Sequence, residues 1–271
     1  VLTDRSWFTI AVALYGISAV YSVLLWRRGF REDNRVLYAL LSGGAVLHTC
    51  AMFQRGFALD RCPINNLFEA SMFIEWTIVA AYLVIGAFRR LRFLGAFASP
   101  LLAAIGVFAL FPMLDHRGPK PEFSHAWESL HAASALLSYG AFGLSAVAAL
   151  MYLSQEHDLR FHRARAVLAL MPPIQRLEKV ISGLLAAGFV LLTVGLVIGA
   201  WWLKQAKGYF VSDDPKIVWS GLVWVAYGVL LALRGKLGAG GRRFAWGVVG
   251  AFVFVLLTFW GTNLPSPIHH P

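Results

Sequence analysis

The chain has 271 residues, of which 58% are hydrophobic and only 14% charged, and it carries a formal net charge of +10 at a mean hydropathy of +0.64. A water-soluble core does not need that much apolar surface, so the composition excludes an ordinary soluble domain. The basic residues fall between hydrophobic stretches, where they set membrane topology, which argues for the lipid bilayer as partner and against nucleic acid.

Eight apolar stretches follow one another, at 7–26, 36–54, 67–88, 93–114, 127–153, 180–203, 217–233 and 244–264. Each is near the ~20 residues that cross ~30 Å of hydrocarbon. Backbone groups in that medium must be satisfied within the segment, so each is predicted to be a helix. The first is an anchor and not a removable signal, because its positive cluster (Arg27, Arg28, Arg31, Arg35) follows the apolar run. In the second, His48 is either a neutral imidazole bonded to a neighbouring helix or a metal or heme ligand. Glu69 opens the third, in a first turn that favours a negative charge. Glu75 lies ~9 Å further in and is expected to face the bundle interior.

Pro100 interrupts the fourth stretch. The fifth starts near His131, and His125 is placed six positions earlier, about 120° off the same helical face, so the two are not expected to grip one ion together. The polar stretch 154–179 is predicted to be an interfacial helix followed by a turn at Pro172-Pro173. Gly195 and Gly199 form a GxxxG in the sixth stretch, expected to serve packing inside the chain. After it, Trp201, Trp202, Tyr209, Phe210 and Trp219 form either an interfacial aromatic belt or a platform for a flat hydrophobic ligand. The loop 232–243 is a short, basic, Gly-rich connection, and the tail ends in His269 and His270 after Pro265 and Pro267.

Sixteen of the 24 Lys and Arg fall after odd-numbered stretches, in clusters such as Arg89-Arg90 and Arg242-Arg243. The positive-inside rule makes those loops cytoplasmic. The N-terminus, 55–66, 115–126, 204–216 and the tail from 265 are then external. The expected architecture is all-α: one polytopic bundle over 1–271 with eight transmembrane helices, both termini external, in a bacterial-type cytoplasmic (inner) membrane. Two cysteines form neither a metal motif nor a disulfide framework, and a single bridge between Cys50 and Cys62 stays open. No nucleophile stands beside a base and no carboxylate pair can be inferred, which points to binding rather than bond-making. Histidines concentrated toward one face (His48, His125, His131, His269, His270) suit an iron porphyrin.

At these residues the chain resembles the cytochrome c assembly family, of the CcsA and HemX type. The likeness is carried by Asn66-Leu67-Phe68-Glu69-Ala70-Ser71 with Trp76, by the span from His131 to Tyr152, by Pro172-Pro173 with Glu178 and Gly188, and by Asp214-Pro215-Lys216 with Trp219, Trp224, Tyr227 and Arg234. The resemblance implies a membrane heme-handling accessory protein for cytochrome c assembly or heme delivery, binding heme b at the external face. His131 and His269 or His270 would be the external histidines, with His131 and His269 on the iron, and His48 the intramembrane one. Trp202, Tyr209, Phe210, Asp214 and Trp219 would line the site. The segment 204–216 corresponds to the family's tryptophan-rich external segment in degenerate form, since Lys207–Asp213 contains no tryptophan. The partners implied are other cytochrome c assembly proteins or a larger membrane complex. The alternative is a non-catalytic membrane subunit or scaffold that keeps the fold without heme.

Overall fold

A computed structural model of the chain describes residues 3–27, 35–59, 66–87, 89–115, 126–160, 173–208, 210, 213–236, 238 and 240–262. These form α1 (Asp4–Arg27), α2 (Arg35–Leu59), α3 (Leu67–Gly86), α4 (Gly95–Ala109), α5 (Ala126–Arg160), α6 (Ile174–Lys207), α7 (Pro215–Lys236) and α8 (Gly241–Thr262). Seven of them, α1 to α7 with α4 counted from Arg92, are long and apolar enough to cross a membrane by length and composition, and the protein is an all-helical integral membrane protein. α8 adds 22 residues, ~33 Å of helix.

Local sequence explains the helix ends. Asn66 stands in an extended conformation and accepts the Glu69 amide at 2.8 Å, capping α3. Asp214 accepts the Lys216 amide at 2.9 Å and Pro215 supplies the first residue of α7, a cap-then-proline start. Gly208, at φ 84°, closes α6 by donating its amide to the Lys204 carbonyl, a left-handed position that favours glycine.

Two expectations change. The stretch 93–114 is divided: α4 holds only Gly95–Ala109, with 3-10 turns at Arg89–Leu94 and Pro112–Leu114 on either side, and Pro100 sits inside the helix. The interfacial helix expected at 154–179 does not exist as a separate element over its described residues. α5 continues without a break to Arg160, and α6 starts directly after Pro173; residues 161–172 lie outside the described residues.

The centre of the bundle is α5, which runs along α6 and also meets α3, α4 and α8. Small residues let it do so: a Cβ at Gly140 would lie 2.6 Å from Thr77 Cβ on α3, and one at Gly143 would lie within 3.0 Å of Ile78 on α3 and Phe252 on α8. Ser145 also donates to the Ile181 carbonyl of α6 at 3.2 Å. In the other half α1 packs on α2 and α4, and α3 on α2, α4 and α5.

Each half is fastened by ions at one end. Arg55, 2% exposed, donates from Nε to Glu69 Oε1 at 2.8 Å, from Nη1 to Asp4 Oδ2 at 2.9 Å and from Nη2 to Asp115. Arg5 and Asn66 also reach Asp115, and the Arg55 guanidinium lies 4.8 Å from the Phe68 ring centroid. The start of α1, the end of α2, the start of α3 and the segment after α4 therefore meet at one level. At the opposite level of the other half, Glu178 accepts from Arg234 Nη2 at 3.0 Å and from the Gly241 amide at 2.8 Å, joining the start of α6 to the end of α7 and capping α8. Successive helices thus run in alternating directions.

Candidate functional site

His131 lies five residues into α5, half-buried against α6. Its Nδ1 is 2.7 Å from the Gly195 carbonyl oxygen. A carbonyl only accepts, so Nδ1 carries the proton and the lone pair of the neutral ring is on Nε2. The ring occupies the space above Gly199: a Cβ there would stand 2.6 Å from His131 Cε1 and 2.7 Å from Nδ1. Gly195 faces Ser134 and the α5 backbone in the same way. The GxxxG pair therefore packs inside the chain, and one of its functions is to seat the histidine. Lys216, in the first turn of α7, lies within electrostatic reach of His131. A side-chain nitrogen with a fixed tautomer and a free lone pair fits an axial ligand of heme iron.

The aromatic candidates lie near the end of α6 and the start of α7. Trp202 is half-buried on the last turns of α6. Phe210 is exposed, with Lys204 Nζ 5.0 Å from its ring centroid. Trp219 packs edge-on against Phe254 of α8, centroids 5.5 Å apart. Asp214 is buried and serves as the α7 cap. Tyr209, His125, His269 and His270 lie outside the described residues.

His48 sits elsewhere, fully buried among α1, α2 and α3. Its Nδ1 is 3.2 Å from Tyr15 Oη, the Phe8 ring meets it edge-on at 5.0 Å, and the Met72 backbone lies beside it. The imidazole is thus bonded to a neighbouring helix, in the half of the bundle built from α1 to α4, and is not brought to His131. Glu75 is also fully buried, as its position predicted. Glu69 is the acid in the first turn of α3, as its position predicted, and it is buried there as the partner of Arg55. Cys50 is an exposed free thiol on α2, and Cys62 lies outside the described residues.

Two residues escaped the sequence reading. Arg55 was only one basic residue near a helix end, because its partners Asp4 and Asp115 are 51 and 60 positions away. Tyr15 is one aromatic within an apolar span, with nothing adjacent in sequence to mark it. The available signal was Gly44, one turn before His48 on α2, where a Cβ would stand 2.5 Å from the Tyr15 ring.

A family model described as Cytochrome C assembly protein matches residues 64–270. Among curated proteins, the cytochrome c biogenesis protein CcsA of Gloeobacter violaceus is 26% identical, covering 97% of this chain and 93% of that protein. The protein of the same name from Mesostigma viride is 25% identical over 94% of this chain and 90% of its own length. That of Synechococcus sp. (strain RCC307) is 28% identical over 86% and 83%. The matched region runs from the Asn66 cap through the His131 helix to the tail histidines, so the chain belongs to the cytochrome c assembly protein family.

Proposed function

We propose that this protein handles heme b in cytochrome c assembly, holding it at the external face of a bacterial cytoplasmic membrane through His131 and a tail histidine, His269 before His270. The observation that carries this reading is the His131 imidazole, oriented by the Gly195 carbonyl and seated on Gly199 so that its Nε2 lone pair is the ring's free ligating atom. Heme, when bound, supplies redox-active iron that two imidazoles can ligate without a substrate position. The chain's own residues orient and enclose: the Gly195 carbonyl fixes the tautomer, Lys216 brings a positive charge near the imidazole, and Trp202, Phe210 and Trp219 offer aromatic surface. The relatives' names point to cytochrome c biogenesis as the setting, with other assembly proteins as partners. The bundle in this reading has eight spans with both termini external, which the Lys and Arg placement in the sequence and the alternating helix directions support.

The test is the absorption spectrum of protein purified from heme-replete cells, oxidised and reduced. A Soret band is expected. His131→Ala should lose most of it, and His269→Ala should weaken it unless His270 substitutes. An unchanged heme content in His131→Ala overturns external ligation through this residue. The absence of tryptophan from Lys207–Asp213 favours one second reading, a membrane scaffold without heme. A stable co-purifying complex that shows no porphyrin absorbance would establish that reading instead.

A further inference from the structure

In the half of the bundle away from His131, three polar side chains converge in the apolar interior. Tyr15 of α1, His48 of α2 and Glu75 of α3 are each 0% exposed. Tyr15 Oη and His48 Nδ1 are 3.2 Å apart, and Glu75 lies within electrostatic reach of Tyr15. Glu75 is packed close under α4, where a Cβ at Gly106 would stand 2.8 Å from its Oε1 and 2.6 Å from Val12 Cγ2, one turn from Tyr15 on α1. Both carboxyl oxygens of Glu75 and His48 Nε2 are buried without a partner in hydrogen-bond geometry, the Met72 backbone lying beside the imidazole.

Three unmet polar atoms, ~9 Å or more along the helices from the Arg55 ions, are costly in this medium unless they serve a ligand. Glu75 makes no ion pair among the described residues, and the groups facing it across the helices are uncharged: Tyr15 and Val12 from α1, and Gly106 from α4. α5 meets α3 through Thr77 and Ile78. A bare carboxylate has nothing there to stabilise it, whereas a carboxylic acid needs only a neutral acceptor.

We infer that Tyr15, His48 and Glu75 form a proton-binding site in the membrane core, reached from the Arg27 end of α1. In its resting form Glu75 is the neutral acid. Transfer breaks the Glu75 O–H bond and forms an N–H bond at His48 Nε2, relayed by water past the Tyr15 hydroxyl that relates the two, leaving a carboxylate and an imidazolium. No electrons move, and return of the proton restores the neutral pair. For Nε2 to accept, Nδ1–H donates to Tyr15 Oη, which is the function of that contact.

Access follows from what lies on either side. Two turns from His48, on the same face of α2, Arg55 is locked to Asp4, Glu69 and Asp115 and closes that end. Toward the other end, Ser18 and Ser22 continue the Tyr15 face of α1 as buried hydroxyls, and Ser99 stands two turns from Gly106 on α4 with its buried Oγ unbonded. These hydroxyls can hold water along the α1–α4 contact.

Infrared difference spectroscopy of the full chain in lipid nanodiscs tests this with the proton and deuteron as probes. At neutral pH the wild type should show a protonated-carboxyl stretch that Glu75→Gln removes and Glu75→Asp moves. The band should shift in deuterated buffer, change frequency in Tyr15→Phe and His48→Gln, and exchange several-fold more slowly in Ser99→Val. If Glu75→Gln removes no such band, the carboxyl is ionised and bound to something else, and the inference fails. A band that never exchanges marks a sealed structural acid and also overturns it. If Glu75→Gln loses helix content, the displaced band of Glu75→Asp decides. None of these readouts depends on heme, so the site and the His131 reading can fail separately.

Discussion

The most consequential single side chain for stability is Arg55. It is buried and meets three carboxylates from α1, α3 and the segment after α4. Removing one partner of a buried ion network leaves the others unpaired, so Arg55→Ala should cost about 3–5 kcal/mol. Arg55→Lys should recover only part of that, because an ammonium cannot present the planar fork of donors that these partners use. Thermal unfolding in detergent measures both. Glu178 is less buried, and its contribution is divided between the Arg234 pair and the Gly241 amide. Glu178→Ala should cost about 1–2 kcal/mol, mostly through the lost helix cap, and amide hydrogen exchange in the first turn of α8 should accelerate.

Among the helices, α5 and α6 form the pair on which the candidate heme site is built. Gly199 leaves room for the His131 ring, and an added methyl would stand 2.6 Å from Cε1. Gly199→Ala should therefore cost about 1–3 kcal/mol through overpacking, more than the ~1 kcal/mol that alanine gains over glycine in a helix. If the heme reading holds, heme content should fall while helix content stays. Gly183, on the same helix with open space around it, is the control: Gly183→Ala should be neutral or stabilising by up to ~1 kcal/mol. Helix α7 shows the opposite environment. Val218, Leu222, Val225, Val229 and Leu233 are all exposed at intervals of three or four residues. That stripe belongs against lipid acyl chains, and it explains why so apolar a helix contributes little to the core.

At the scale of the whole molecule, the testable statement is sidedness. In a chain with Cys50 and Cys62 changed to Ser, a cysteine introduced at exposed Asp213 should react with an impermeant maleimide from outside the cell. One introduced at exposed Arg242 should react only after the membrane is permeabilised. The reverse pattern would place His131 on the cytoplasmic side and remove the external heme site with it.

Much of the architecture was legible in the sequence because in hydrocarbon a span must satisfy its own backbone, so helix existence and approximate length are local properties. The Asn66 and Asp214-Pro215 starts are equally local. The same logic failed at 154–160, where polar residues prolong α5 beyond the apolar run. Which residues meet was not local. A span that is apolar on every side does not state how it is rotated about its axis, and that rotation decides that Arg55 finds Asp4 and Asp115, that His48 turns to Tyr15, and that His131 lies on Gly199. The sequence by itself determined a membrane bundle and the histidines worth testing. Only the tertiary structure separated His48 from His131, because the contacts around each join helices whose facing sides are set by packing against one another.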